Sequence, residues 1–470
     1  MKNGFKFWGM MAVAALFVLS SCKKDDEETV MPTPTPAGMV ELSGELSTQT
    51  LTADKKYILK GQVFVRDGQV LTIEPGTVIF GDKATRATLI IDRGGRIEAN
   101  GTASQPIVFT SAQPAGIRDR GDWGGLIILG RANTNQIDPA IEGISPAVTF
   151  GTNNSTINDD DSSGTLRYVR VEFAGIELTP NNETNAITFG GVGRGTVVEN
   201  CQVSFGGDDG FEWFGGTVNA KNLVSFATWD DDFDCDYGWS GNVQYGVVIR
   251  YPSFADQSQS NAFECDNGPN DNDVQPYTTA TFSNITVVGP IKSGTSTSNA
   301  NYAHAIDLRR RTSVSIFNSV FLGFPSGLRM NQPSVVANYQ SGSGILANNI
   351  LVAPNVANAY KAGSGVEASD VASLWTANNQ TIDGPASDQI TSDLGLSTDL
   401  FFGTRLPEEY SAPQFTVTSG TLASGASFSH AKFSESNRAG FFENVSYIGA
   451  FGSNDWTQGW TEFNPVNAAY

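Results

Sequence analysis

The chain has 470 residues, 50 of them glycine, and a formal net charge of −20. This charge excludes an electrostatic nucleic-acid interface, and the presence of only two histidines, His304 and His430, excludes a multi-histidine zinc site. Short runs of Val, Ile, Phe and Thr between Gly, Asn, Asp and Pro favour strands over helices. We therefore expect an all-β protein without a nucleic-acid partner.

Residues 1–21 have the features of a bacterial lipoprotein signal peptide. Lys2 and Lys6 form a positive n-region, and an apolar segment follows from Phe7 to Val18. This segment is too short to span a membrane comfortably. It ends before Cys22 in a sequence that resembles a lipobox, so we predict that Cys22 becomes the acylated N-terminus and anchors the protein to the membrane.

Residues 22–40 are predicted to form a tether between the membrane and the folded domain. The charged run at 23–28 resembles the export signal of Bacteroidota lipoproteins, which implies the outer leaflet of the outer membrane, facing the cell exterior. Alternating Pro and Thr at 32–36 favour an extended linker. We expect one domain over residues 41–470.

Two kinds of segment recur along this domain. The first is rich in Val, Ile and Phe and occurs at 166–175, 197–207, 220–228, 244–251, 281–289, 315–323 and 346–353. The second is a triplet with a polar residue between two apolar ones, and it occurs at 187–189, 211–213, 233–235, 263–265, 306–308 and 328–330. The shortest spacing between triplets is 22 residues, from Glu212 to Asp234 and from Asp307 to Arg329.

This repetition predicts a single-stranded parallel β-helix, right-handed by the usual crossover preference, with loops of variable length. Short apolar strands cannot bury themselves alone, but stacked coils share one continuous core. A β-sandwich would show antiparallel hairpins, and a propeller would need a longer period. We expect a less regular excursion at about 354–415, with one short helix near Val366–Thr376, and a C-terminal cap.

Side-chain alternation in the triplets places Glu212, Asp234, Glu264 and Asp307 in one outward column. Neighbouring carboxylates about 5 Å apart repel one another, by roughly 1 kcal/mol in water and by several-fold more near a protein surface. A cation, raised pKa values or arginines from later coils would offset this repulsion.

Calcium is the cation that the surroundings favour, because carboxylates without nearby imidazole or surface thiolate ligands suit a hard ion. The candidate ligands are Glu212, Asp234, Asp236, Glu264, Asp266, Asp208 and Asp209. A solvated acidic surface without any ion is the alternative interpretation.

A catalytic site is a further alternative, with Asp234, Glu212, Glu264 and Arg309 as candidate residues. Carboxylates on adjacent coils have about the separation of a retaining glycosidase, and those on alternate coils about that of an inverting one. A polysaccharide lyase would instead need Ca²⁺ and a basic residue.

The same face carries candidate ligand-binding residues. Asp307, Arg309 and Arg329 would continue the acidic groove into a basic one, suited to a polyhydroxylated or anionic chain. Phe214, Trp229 and Trp239 are predicted to be exposed, where they would stack on sugar rings, whereas Trp213 is predicted to face the core.

Three cysteines remain in the folded domain. Cys235 and Cys265 are predicted to point inward on neighbouring coils, within the Cα distance of a disulfide, which an oxidising compartment would permit. We expect a reduced pair instead, because directly stacked residues orient their Cβ atoms alike. Cys201 has no evident partner in the sequence.

Five segments give the chain a family resemblance: 71–81, 121–132, 166–175, 208–218 and 447–465. Together they resemble Bacteroidota outer-membrane surface lipoproteins with a pectate-lyase-like right-handed β-helix. Such proteins are often encoded with TonB-dependent transporters, so the resemblance implies an accessory role that binds a glycan or another nutrient. It supplies no catalytic residues, and a polysaccharide lyase or glycoside hydrolase is the alternative function.

Overall fold

The computed structural model describes residues 38–152, 156–179, 182–294 and 296–470. The predicted signal peptide, Cys22 and most of the tether at 22–40 therefore lie outside the described residues. Among the residues that are described, no helix is both long enough and apolar enough to cross a membrane.

Parallel strands dominate the structure, and 26 of them join one continuous sheet. The strands are β1 (Met39–Leu46), β2 (Gln49–Leu51), β3 (Lys56–Val65), β4 (Val70–Ile73), β5 (Val78–Gly81), β6 (Thr88–Ile91), β7 (Arg96–Asn100), β8 (Ile107–Ser111), β9 (Gly125–Leu129), β10 (Gly164–Glu172), β11 (Glu177–Thr179), β12 (Asn182–Glu183), β13 (Ile187–Val192), β14 (Val197–Ser204), β15 (Phe211–Gly216), β16 (Asn219–Phe226), β17 (Phe233–Asp236), β18 (Asn242–Ile249), β19 (Phe263–Cys265), β20 (Thr281–Val288), β21 (His304–Leu308), β22 (Ser315–Phe317), β23 (Val320–Leu322), β24 (Ser326–Met330), β25 (Leu346–Ala347), β26 (Ile350–Ala353), β27 (Tyr360–Ala362) and β28 (Gln380–Asp383). Only β11 and β12 form a separate, antiparallel pair among the described strands.

Successive coils stack in register along two ladders. The triplet segments form one ladder, in which β13, β15, β17, β19, β21, β24 and β27 pair in that order. The longer segments form the other, in which β10, β14, β16, β18 and β20 pair in that order. This topology confirms the predicted all-β parallel β-helix.

The long strands bend at one residue with positive φ. This residue is Tyr168, Asn200, Asn222, Tyr245 or Asn284, with φ between 51° and 67°. The regular Cα pairing skips these positions in every coil. Asparagine tolerates the left-handed region better than most residues, so the asparagines at three of these five positions suit this corner of the helix.

The interior of the β-helix is a continuous apolar core that includes the inward residues of the triplets, such as Phe211, Trp213 and Phe233. Two further apolar clusters lie outside the coils. In one, the C-terminal segment packs along the outer side of the long-strand ladder, where Phe402, Tyr410 and Phe463 contact Phe226. In the other, the loop at 133–152 covers the triplet ladder through residues such as Phe150.

Helices are few and lie late in the chain: α1 (Pro333–Gln340), α2 (Ala368–Thr376) and α3 (Asp388–Leu394), with 3₁₀ turns at Val356–Asn358, Thr398–Leu400, Pro407–Glu409, Thr421–Ala423 and Ala431–Ser434. The helix α2 agrees with the one expected near 366–376, and it buries Val371 and Trp375. Within the excursion expected at 354–415, β27 and β28 still pair with the preceding coil.

Candidate functional site

The four carboxylates predicted to align do occupy one register position of the triplet ladder. Glu212 pairs with Asp234, Asp234 with Glu264, and Glu264 with Asp307. Arg329 follows Asp307 on the next coil. We call Glu212, Asp234, Glu264 and Asp307 the carboxylate column. Their apolar neighbours in each triplet lie in the interior core, so the predicted alternation of inward and outward residues is confirmed.

This outward face is largely shielded from water, which argues against the alternative of a solvated acidic surface. Asp307 is 0% exposed, Asp266 is 3% exposed, and Glu212 and Asp236 are each 8% exposed. Loop residues cover the face, among them Ile141 and Phe150 from one loop and Thr184 and Asn185 from another. These loops remove water from the acidic side chains, so burial adds to the cost of their mutual repulsion.

Arginines neutralise the later coils. Arg329 donates two hydrogen bonds to Asp307, one of them from Nε to Oδ1 at 2.7 Å. Arg309 bonds both oxygens of Asp266 and also forms an ion pair with Glu264. Arg310 Nη1 lies 2.8 Å from Asp266 Oδ2. We call Glu264, Asp266 and Asp307 the paired half of the site.

The earlier coils lack such counter-ions. Six carboxylates belong to this group, which we call the unpaired half: Asp208, Asp209, Glu212, Asp230, Asp231 and Asp234. Within the described ranges, no Lys or Arg forms an ion pair with any of them. Neutral donors partly replace the missing cations, because Asn185 donates to Glu212 and the Asp231 amide donates to Asp209 Oδ1 at 2.9 Å.

The carboxylates of the unpaired half are close enough to share an ion. Oxygen atoms of three overlapping triads lie within 4.8 Å of one another: Asp208, Asp209 and Asp230; Asp209, Glu212 and Asp234; and Asp231, Asp234 and Glu264. The Oδ1 atoms of Asp230 and Asp234 are buried without a hydrogen-bond partner. Such atoms are costly unless a cation or proton satisfies them.

Burial and mutual repulsion change the acidity of these groups. Burial, followed by repulsion from neighbouring carboxylates, raises the pKa values of Asp208, Asp209 and Asp234 well above their usual range. The same causes act on Glu212. Burial raises the pKa of Glu264 to about 8, although Arg309 lowers it. The metal-free site therefore retains protons that an exposed acidic surface would lose.

Two cavities open beside the unpaired half. One, of about 270 Å³, is lined by Asp209 and Glu212 together with the rings of Phe214 and Tyr237. The other, of about 550 Å³, is lined by Asp230, Trp229 and Asp256 among others. Both cavities contact Glu183 and Asp208.

The family model for the pectate-lyase-like β-helix domain matches residues 44–393, well over half of the chain. The chain belongs to this family. Comparison of this chain with curated proteins and with solved structures found no match. A family defined by its β-helix does not fix a function, so the chemistry of this member has to be argued from its own side chains.

The predicted ligand-binding residues of the paired half are engaged with each other. Asp307, Arg309 and Arg329 form ion pairs within this half, and none of them lines either of the two cavities. Asp236, a predicted metal ligand, accepts a hydrogen bond from the Tyr237 amide at 2.7 Å and belongs to none of the three triads.

The three aromatic candidates differ in their surroundings. Phe214 is half-buried at the first cavity, with its ring centre 5.0 Å from that of Tyr237. Trp229 lines the second cavity, but Arg120 lies 3.6 Å from its ring centre. The exposure expected for Trp239 is wrong, because this side chain is fully buried.

A tight turn explains the position of Trp239. Tyr237 and Gly238 both have positive φ, and this turn directs the following side chain into the core. The ring of Trp239 there stacks on Trp213 with 4.4 Å between ring centres. Trp213 itself is buried, as predicted.

The cysteines of the β-helix are all free and buried. Cys235 and Cys265 pair directly in register on adjacent coils, which agrees with the expected reduced pair. Burial raises the pKa of the Cys201 thiol to about 12, so this thiol stays protonated and unreactive at neutral pH.

Sequence reasoning missed several residues of the site. Glu142, Glu183 and Asn185 line the first cavity, but they lie in a loop, in the short strand β12 and shortly before β13, where the repeat gives no signal. It also missed a fully buried ion pair between Arg250 and Asp232, with 3.1 Å between Nη1 and Oδ2. Arg250 also donates to the carbonyl oxygens of Trp229 and Asp230, so it fixes the backbone that carries the acidic run.

Proposed function

We propose that this protein is a surface lipoprotein of the outer membrane whose β-helix binds a glycan in a calcium-dependent cleft, in support of a TonB-dependent transporter. The observation that carries the proposal is the unpaired half, a group of buried and half-buried carboxylates that opens onto two cavities and forms no ion pair with a described Lys or Arg. Membership of the pectate-lyase-like family supports a role related to carbohydrate.

Calcium fits the donor set. All members of the triads are carboxylates, with no imidazole and no thiolate among them, and hard oxygen ligands select Ca²⁺ or Mg²⁺ over softer metals. Ca²⁺ suits this site better than Mg²⁺ because it accepts irregular geometry and many ligands. A bound cation would also satisfy the buried Oδ1 atom of Asp234.

The cavity walls suit a sugar. Carboxylates accept hydrogen bonds from hydroxyl groups, and those of Glu142, Glu183 and Asp208 remain on the wall of the first cavity. The rings of Phe214 and Tyr237 give the same wall an apolar surface against which a sugar ring can pack. The combination favours a polyhydroxylated ligand over a purely apolar one.

The membrane part of the proposal depends on the N-terminal sequence. Acylation of Cys22 would place the domain at the membrane surface, and the resemblance to transporter-associated lipoproteins suggests the partner. A palmitate label should enter the chain in a lipoprotein-processing bacterium, and Cys22→Ser should abolish labelling. Equal labelling of the variant would contradict the anchor.

Binding is tested on the Cys22→Ser chain with a panel of neutral and uronic-acid glycans, titrated calorimetrically in calcium and again in chelator. We expect at least one glycan to bind in calcium, with loss of binding in chelator and in the double variant D209N/E212Q. Glu408→Gln is the matched control, because it removes an exposed carboxylate that lines neither cavity. This variant should bind the glycan normally. No binding by any glycan, and no effect of calcium on the melting temperature, would contradict the proposal.

A carbohydrate-cleaving enzyme is the second candidate, favoured by one observation. Burial raises the pKa of Glu212 well above its usual range, and this side chain lines the first cavity. A raised carboxyl pKa is the property that a general acid requires. The same glycan panel separates the two functions. New reducing ends or unsaturated products that disappear in Glu212→Gln would establish the enzyme.

A further inference from the structure

The unpaired half contains two overlapping carboxylate triads. Asp208, Asp209 and Asp230 form the first triad, and Asp209, Glu212 and Asp234 form the second. Asp209 is common to both. Asp230 of the first triad lines the 550 Å³ cavity, and Glu212 of the second lines the 270 Å³ cavity. Asp208 lines both cavities, and the shared Asp209 lines the 270 Å³ cavity.

Each triad has the dimensions of a calcium site. Calcium lies about 2.3–2.6 Å from its oxygen ligands, so two ligands on opposite sides of the ion are separated by about 5 Å at most. In each triad, every carboxylate places one oxygen within 4.8 Å of an oxygen of the other two, which leaves room for one ion among them.

Each triad also holds one buried oxygen that has no partner. In the first triad this atom is Oδ1 of Asp230, and in the second it is Oδ1 of Asp234. An unsatisfied buried carboxylate oxygen is rare in folded proteins because it costs free energy. Its presence in both triads indicates a ligand in both, independently of how many acidic residues are nearby.

A third triad, formed by Asp231, Asp234 and Glu264, has the same dimensions and includes the same unpartnered oxygen of Asp234, but it differs in having a counter-ion. Glu264 forms an ion pair with Arg309, so a guanidinium already occupies the position of a cation. A divalent ion placed there would be repelled by that arginine.

We propose, on the basis of the proposed function, that the cleft takes two divalent cations, one in each triad, with Asp209 as the bridging ligand. The five carboxylates of the two triads then face two doubly charged ions, so nearly all their charge is neutralised. Each ion keeps open coordination positions toward its own cavity, which allows one ligand chain to contact both.

The test counts ions on the Cys22→Ser chain, with Ca²⁺ titrated calorimetrically and Tb³⁺ as a luminescent substitute. We expect two ions per chain. Because Trp229 lines the cavity of the first triad, excitation of tryptophan should sensitise Tb³⁺ bound there, and Trp229→Phe should reduce that signal while the ion count stays at two.

Variants assign the ions to their triads. Asp230→Asn should remove only the first ion, Glu212→Gln only the second, and Asp209→Asn should weaken both at least tenfold. Glu264→Gln is the matched control and should retain two ions. Circular dichroism and a melting curve verify that each variant is folded.

The possible ion counts separate this inference from the proposed function. One ion per chain would overturn the two-ion inference and leave a calcium-dependent cleft in place. No ion would overturn both. Loss of both ions in Glu212→Gln and equally in Asp230→Asn, with folding intact, would show one cooperative site and would also overturn the assignment.

Discussion

The paired and unpaired halves of the site solve the same electrostatic problem in different ways. Both place carboxylates on the outward face of the same ladder, and loops remove much of the water from both. In the paired half, arginines supply the compensating charge from within the chain. In the unpaired half, no described Lys or Arg forms an ion pair, although Arg250 attracts Asp230 from its own pair with Asp232. These acids therefore cost stability that the fold recovers only in part.

This difference separates structure from function. A buried ion pair such as Arg329 with Asp307 is self-contained and requires no ligand. Buried acids without counter-ions need a proton or an external cation. The paired half therefore serves to hold the coils together, whereas the unpaired half is the place to look for binding.

The largest expected effect comes from breaking the paired half. Arg329→Met should destabilise the protein by about 3–5 kcal/mol, because it leaves the fully buried Asp307 without its partner. Urea unfolding measures the change, and adding Asp307→Leu to this variant should restore part of the stability. A loss below about 1 kcal/mol would mean that the ion pair is not structural.

Removal of a charge from the unpaired half should stabilise the protein, whereas breaking the paired half destabilises it. In chelator, at a pH high enough to ionise these carboxylates, Asp234→Asn should stabilise the protein by about 2 kcal/mol, because it removes repulsion among carboxylates about 5 Å apart. Asp307→Asn is the matched control in the paired half and should destabilise. Destabilisation by both variants would remove the distinction between the halves.

The metal-free protein should lose stability as the pH rises from 6 to 8. Unfolded carboxylates titrate near pH 4, but burial raises the pKa of Asp230 to about 6 and that of Glu264 to about 8. The folded state thus holds more protons than the unfolded state in this window. Each excess proton lowers the stability by about 1.4 kcal/mol per pH unit, so we expect a loss of about 2–3 kcal/mol. Urea unfolding in chelator measures the slope. A stability that is flat or rises with pH would contradict the raised pKa values.

The smallest expected effect concerns His304, which lies on β21 near Arg329. Burial, with Arg329 and Lys361 nearby, lowers the pKa of His304 to about 3. Its ring should therefore stay neutral, with no change in its NMR signals between pH 7 and 4.5. His304 is one of only two histidines in the chain, so a His430→Gln variant assigns the signal. A midpoint near pH 6.5 would show that the ring is solvated.

The sequence predicted the ladder well because the repeat encodes it directly. A polar residue between two apolar ones, at spacings of 22 residues or more, fixes both the register and the face of Glu212, Asp234, Glu264 and Asp307. Arginines from later coils are one of the three ways in which the repulsion between these carboxylates could be offset. The structure shows them in the paired half alone.

The sequence repeat does not predict that the site is buried. The covering loops carry Glu142, Phe150 and Asn185, and their path across the ladder depends on tertiary packing rather than on a periodic pattern. Trp239 was misplaced for a similar reason, because strand alternation does not continue through the turn at Tyr237 and Gly238.

A high-resolution crystal structure of the protein grown with calcium tests the central claim most directly. We expect density for an ion among Asp209, Glu212 and Asp234, with oxygen ligands at about 2.3–2.6 Å, and none beside Arg309. Carboxylates of the unpaired half that bond directly to one another in saturating calcium, with no ion between them, would contradict it.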